Sequence, residues 1–213
     1  MVWRYVVTAV VGYLLGCILF GDIASKLFKG KDIRKVGSGN VGTANAIRTY
    51  GWGGGVFTFV GDVAKGVLAA LFGKWLLPQV LADSAVSLLD MSAQPCVAIG
   101  VCVGGVAAVL GHIWPVSLKF RGGKGVATTL GVFFVMMPVH TAIVLAISLI
   151  IVACTRTMSI GSLVGTALMA AVSFVFFWGD IVNHVTCVVL LILVYYSHRM
   201  NIKRLAEGKE NLL

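Results

Sequence analysis

Apolar runs recur along the whole chain, separated by short polar segments, and they predict helices at 2–27, 56–77, 95–110, 126–137, 139–154, 160–178 and 181–197. A helix crossing hydrocarbon needs about 20 apolar residues. The stretch 126–154 is divided at Pro138, whose ring cannot continue a helix. The two pieces, about 12 to 16 residues each, would span roughly 18 to 24 Å of a core about 30 Å thick. A locally thin or re-entrant region is therefore expected there. The first run carries Gly12 and Gly16 at small-residue spacing and no small-residue cleavage site, so it reads as a retained first helix rather than a signal peptide. The pattern predicts an all-α polytopic membrane protein, one integral-membrane domain over 1–213 with about seven transmembrane helices.

Composition agrees: 59% of the 213 residues are hydrophobic and 12% are charged, which leaves no room for a soluble domain. Charge adds an orientation. All of the 17 Lys and Arg except Arg4, Lys65 and Lys74 fall in 26–48, 119–124, at Arg156 or beyond His198. By the positive-inside rule these segments share the cytoplasmic side, which places the N-terminus outside and the C-terminus in the cytoplasm. Without the break at Pro138, Arg156 and the basic tail would fall outside. The segment 78–94, with Asp83 and Asp90 but no basic residue, and the turn at Asp180 are assigned to the outer side. The net charge of +9 is thus topological and does not point to nucleic acid, because Trp and Phe lie within or beside the apolar runs. Cys17, Cys96, Cys102, Cys154 and Cys187 have no metal-ligand spacing and read as small core residues.

Three polar constellations stand out against this background, all on the predicted cytoplasmic side. The first runs from Gly37 to Arg48. It contains the letters of a dinucleotide motif, but no strand–helix–strand unit surrounds them. Gly37, Gly39 and Gly42 let a backbone approach an anion closely, Ser38, Asn40, Thr43 and Asn45 add neutral hydrogen-bonding groups, and Arg48 adds a bidentate donor. The second includes His112 and runs to Gly122, Gly123, Lys124 and Gly125 before a predicted helix start at Val126. A nucleotide-binding P-loop would need glycine at Leu118, so what remains is a glycine loop and a lysine at a helix N-terminus suited to phosphate. The third holds His198 and Asn201, spaced i and i+3 on one helical face. Asp62 and Lys65 lie about two turns inside the second helix at ion-pair spacing and are read as supporting the site. Three anion-suited groups on one side of a membrane protein imply a site for more than one phosphate, with a lipid among the substrates or products. Acidic residues near the motifs are too few for an oxygen-ligand metal site, so no metal or cofactor is implied.

The segments Gly37 to Arg48, Gly111 to Thr128 and His198 to Glu210 resemble the signatures of the bacterial integral-membrane glycerol-3-phosphate acyltransferases that use acyl phosphate, the PlsY family. The resemblance covers nearly the whole chain. It implies a seven-helix membrane domain of the bacterial cytoplasmic membrane, with its active site facing the cytoplasm. It also implies acyl transfer from acyl phosphate to the 1-hydroxyl of glycerol 3-phosphate, giving lysophosphatidic acid and phosphate. By the same resemblance Ser38, Arg48, Lys124, His198 and Asn201 would hold glycerol 3-phosphate, and the glycine loops around Asn40 and Gly123 the acyl-phosphate head. The implied partners are these two substrates, membrane lipid and, as a candidate, the enzyme that makes acyl phosphate. One departure is the order Thr43–Ala44, where Ala–Thr is commoner.

An acyl phosphate is a mixed anhydride with a good leaving group, so aligning two anions could suffice and no covalent intermediate is required. None of His112, His140, His184 and His198 is followed by a His-x-x-x-x-Asp pair, against the soluble type of acyltransferase. The proton of the attacking hydroxyl is assigned to a substrate phosphate, with His198 as the alternative base. The competing class, a transporter of a small phosphorylated anion, would predict polar residues along both halves of the membrane path, and the last two helices carry few.

Overall fold

The structure, a computed structural model, describes residues 2–28, 31–77 and 95–213. Nine α-helices occur among these residues, with no strand: α1 (Val2–Gly16), α2 (Phe20–Leu27), α3 (Thr43–Leu76), α4 (Pro95–Ile113), α5 (Val126–Met136), α6 (Pro138–Thr155), α7 (Met158–Phe176), α8 (Ile181–Ser197) and α9 (Arg199–Ala206). Five helical segments are long and apolar enough to cross a membrane, and a sixth follows if the bent pair α8 and α9 is one span; α5 is a shorter apolar helix.

The interior is assembled around α4, which packs against α1, α3, α5 and α8, while α6 and α7 pair with each other beyond α5. Small residues let these backbones approach: a Cβ at Gly16 would collide with the Ala108 carbonyl, and one at Gly73 with the Gly100 carbonyl. A core of Val109, Val132, Phe133, Met169 and Leu190 joins α4, α5, α7 and α8. Large apolar side chains such as Val56, Ile150 and Val175 face outward, as expected where lipid rather than water is the solvent.

The break at Pro138 is present: Met137 leaves helical geometry and Pro138 opens α6, where its missing N–H is no loss. Three features differ from the sequence reading. The first run is broken at Cys17–Leu19 into α1 and α2, although neither proline nor charge marks the spot. The loop expected over 26–48 ends at Gly42, so that Thr43, Asn45 and Arg48 are helical; α3 then kinks at Gly51, which adopts φ 73°. The last apolar helix continues into α9 after a 61° bend at His198. Asp180 caps α8 by accepting from the Asn183 N–H at 3.0 Å. The segment 78–94, with Asp83 and Asp90, lies outside the described residues.

Candidate functional site

The loop ahead of α3, the loop between α4 and α5, the start of α7 and the break between α8 and α9 meet around one cavity. The first loop turns through Gly37 and Gly39, both in the left-handed region at φ 60° and 68°. It is stapled by Asn45: the side-chain amide donates to the Ile33 and Val36 carbonyls at 2.9 and 3.0 Å, while its oxygen accepts from the Ser38 N–H at 3.0 Å. Asn45 is 1% exposed and its amide is fully committed, so its role is to shape the loop. Asn40 accepts from the Gly42 N–H at 2.9 Å and keeps its own amide donors for the cavity. Gly42 caps α3, and the first N–H groups of that helix have no carbonyl within it to bond.

The second loop is built from backbone. Gly122 N–H donates to the Ile113 carbonyl at 3.0 Å and Gly123 N–H to the His112 carbonyl at 2.9 Å, pinning the loop to the end of α4. A Cβ at Gly122 would collide with the His112 carbonyl. Gly125, at φ 80°, caps α5. Gly42, Thr43, Gly125 and Val126 all line the cavity, so two helix N-termini with unpaired N–H groups converge on it, the arrangement that favours an anion. Arg48 and Lys124 also line it and add full charges. Burial, together with the nearby Arg204 and Arg48, draws the Lys124 ammonium down to about 8, against the opposing pull of Glu210.

His198 sits at the bend, 2% exposed, with Nδ1 2.8 Å from the Val194 carbonyl. A carbonyl only accepts, so Nδ1 carries the proton and Nε2 a lone pair. Burial, and then the neighbouring Lys124, lowers its pKa to about 4, so the ring is neutral at pH 7. Asn201 donates to Ser159 Oγ at 2.8 Å and to Glu210 Oε1. Glu210 is also met by Ser159 at 2.9 Å and Arg204 at 2.9 Å. Burial pushes its carboxyl up, but the hydrogen bonds from Arg204, Asn201 and Ser159 outweigh this and hold it below the usual range. The final residues fold across the mouth, where Arg48 donates to the Asn211 and Leu212 carbonyls at 3.2 and 3.1 Å.

Beneath the cavity Asp62, Lys65 and His112 form a cluster, each no more than 3% exposed. Lys65 Nζ lies 2.8 Å from both Asp62 Oδ1 and His112 Nδ1. Asp62 and His112 line the cavity, whereas Lys65 points toward the break between α1 and α2.

A second, apolar hollow runs between α5, α6 and α7, past Phe133, Val144, Leu145 and Met169. Phe59, Val126, Met158 and Ser162 line both spaces, so groove and cavity adjoin. Its hydroxyls are turned inward on their own helices: Thr141, Ser148, Ser162 and Thr166 each donate to the carbonyl four residues back. Thr129 Oγ1, one turn into α5, has no such partner.

Of the residues singled out in the sequence, Ser38, Asn40, Gly42, Thr43, Arg48, Asp62, His112, Lys124, Gly125, His198 and Asn201 do line the cavity, as does the committed Asn45. Gly37, Gly39, Gly122 and Gly123 are not among the residues that line the cavity; they set the turns that aim the helix ends toward it. Ser159, Ser162, Phe59 and the whole groove were missed. Glu210 belonged to a recognised motif without an assigned role; its place beside Asn201 supplies one.

Comparison with known proteins agrees with this fold. The family model for glycerol-3-phosphate acyltransferase matches residues 6–208. A glycerol-3-phosphate acyltransferase of Thermoanaerobacter sp. (strain X514) is 37% identical over 98% of this chain and 95% of its own. One from Clostridioides difficile (strain 630) is 40% identical with the same coverage. The crystal structure of PlsY (YgiH), an integral membrane glycerol 3-phosphate acyltransferase, in its glycerol 3-phosphate form superposes with a TM-score of 0.82 at 34% identity, over 98% of this chain and 95% of that one. The same protein in its lysophosphatidic acid form gives 0.79. The fold, the match over nearly the full length and the convergence of all three motifs on one cavity together place the chain in the glycerol-3-phosphate acyltransferase family of integral membrane acyltransferases.

Proposed function

We propose that this protein transfers an acyl group from acyl phosphate to the 1-hydroxyl of glycerol 3-phosphate at the cytoplasmic face of a bacterial inner membrane. One domain of seven spans, with its N-terminus outside, carries the site. The observation that supports this reading best is the junction of the two spaces: a polar cavity with two helix N-termini, Arg48 and Lys124 opens at Phe59, Val126, Met158 and Ser162 onto an apolar groove. A phosphorylated head and an acyl chain fit the two halves. Along α7 the groove runs from Met158 to Met169, about 16 Å at 1.5 Å per residue. That is close to half of a hydrocarbon core about 30 Å thick, the depth of one leaflet.

In this reading Arg48, Lys124 and Ser38 hold the glycerol 3-phosphate phosphate, and His198 and Asn201 meet the glycerol hydroxyls. The hydroxyl oxygen attacks the acyl carbonyl carbon and the bond from that carbon to the phosphate oxygen breaks. The hydroxyl proton passes to a phosphate oxygen, leaving lysophosphatidic acid and inorganic phosphate. His198, with a pKa of about 4, is a weak base for this proton. A phosphate with a second pKa near 6 is better matched, which favours the substrate-assisted route.

The test is release of inorganic phosphate by purified protein in lipid, given glycerol 3-phosphate with palmitoyl phosphate, palmitoyl-CoA or palmitoyl-acyl carrier protein in parallel. Phosphate release and lysophosphatidic acid formation with the acyl phosphate alone are expected. Turnover with a thioester in its place would refute the donor assignment. Folded protein that binds glycerol 3-phosphate without any turnover would favour a transporter.

A further inference from the structure

Lys65 is 2% exposed, does not line the cavity, and yet sets the state of a group that does. An ammonium has three protons and no lone pair. Two of its neighbours, the Gly16 and Ile18 carbonyls at 3.0 and 2.7 Å, stand at the break between α1 and α2 and can only accept. The third is His112 Nδ1 at 2.8 Å, which must also accept. Asp62 Oδ1, 2.8 Å from Nζ, balances the charge; it also lies 3.5 Å from His112 Nδ1, but without the alignment of a hydrogen bond from either nitrogen. An imidazolium facing a neutral amine would instead need a proton to leave a group of ordinary pKa about 10.4 for one of about 6.5. The imidazole is therefore neutral, and its single proton sits on Nε2. That edge lies against the second glycine loop: a Cβ at Gly123 would collide with Nε2, and the Gly123 N–H is bonded to the His112 carbonyl.

The geometry points to Lys65 as a positioning residue that locks His112 in the Nε2–H form, making it a neutral donor to a phosphoryl oxygen held at the glycine loop 122–125. The identity of that phosphoryl group rests on the function proposed above; the tautomer does not. Such a donor adds a hydrogen bond without adding to the positive charge of a cavity that already holds Arg48 and Lys124. The break in the first span thereby acquires a purpose, since its freed carbonyls hold Lys65 in place.

The test is ¹H–¹⁵N NMR of protein labelled at histidine nitrogen in lipid nanodiscs, with His112 assigned by His112→Gln. The wild type is expected to show the Nε2–H tautomer, and added inorganic phosphate or glycerol 3-phosphate to shift the Nε2 resonance. Lys65→Met should give mixed tautomers and roughly a 10- to 100-fold loss of kcat/KM, with Lys65→Arg restoring part of both. Whether KM rises for glycerol 3-phosphate or for acyl phosphate tells which phosphoryl group His112 meets. An Nδ1–H or doubly protonated ring in the wild type, or no response of Nε2 to either anion, overturns the inference even if Lys65→Met fails to fold. If the wild type shows the Nε2–H form but no acyl transfer, the proposed function falls and the tautomer assignment stands.

Discussion

The polar cavity and the apolar groove share α5 and adjoin at four side chains, but they handle polar groups in opposite ways. In the cavity, Lys124 has no carboxylate partner among the described residues, and two sets of helix N–H groups stay unpaired. In the groove, four of five hydroxyls are spent on their own helix, which leaves methyl and methylene surface facing inward. Polar groups left unbonded at a membrane surface are costly unless a ligand completes them, whereas groups bonded internally make a neutral wall. The first region therefore reads as a place where charge arrives, the second as a place where hydrocarbon does.

The comparison breaks most sharply at Lys124. Lys124→Ala should lower kcat/KM by on the order of 100- to 1000-fold while leaving the circular dichroism spectrum unchanged, because a desolvated charge facing an anion is lost. A comparable loss of helix content would mean that Lys124 holds the fold. Next comes the groove, where Leu145→Trp narrows the space without entering the core. Excluding about two to three methylenes at roughly 0.8 kcal/mol each predicts a 10- to 100-fold loss with palmitoyl phosphate. A butyryl donor should be affected much less; equal losses with both donors would disconnect groove from chain.

His198→Ala should raise KM for glycerol 3-phosphate about tenfold with kcat nearly kept, since a hydrogen bond to a hydroxyl is lost rather than a base. Collapse of kcat at unchanged KM would make His198 the base. The pH profile sharpens the same contrast. Lys124, held near 8, binds anions only when protonated, so kcat/KM should fall as pH rises through about 8. In Lys124→Arg, whose charge persists, that limb should disappear. The smallest effect is expected at the tail: removing residues 211–213 frees Arg48 from two carbonyls and should lower KM for glycerol 3-phosphate by up to about fivefold.

The two regions were also unequally legible. In a chain with 12% charged residues, Arg48, Lys124, His198 and Asn201 stand out against their surroundings, and their clustering at predicted helix ends marked the cavity. The groove left no such trace, because Leu145 or Met169 facing an acyl chain looks the same in sequence as one facing lipid. That Asn45 staples its own loop was not legible, because an amide that does so and one that meets a ligand share the same letter, and only the partners Ile33, Val36 and Ser38 reveal the staple. Pro138 announced its break through chemistry local to the residue. The break after Gly16 rests on Lys65, which is 49 positions away, and no window along the chain contains both.

The central claim, that cavity and groove form one continuous site for a phosphorylated head and its acyl chain, is tested most directly by a structure of the protein with glycerol 3-phosphate and a non-transferable palmitoyl phosphonate. The account predicts the glycerol 3-phosphate phosphate between Arg48 and Lys124, with the palmitoyl chain running from Val126 and Met158 down between α5, α6 and α7 toward Met169. A chain lying outside that groove, with the phosphonate head still in the cavity, would contradict it.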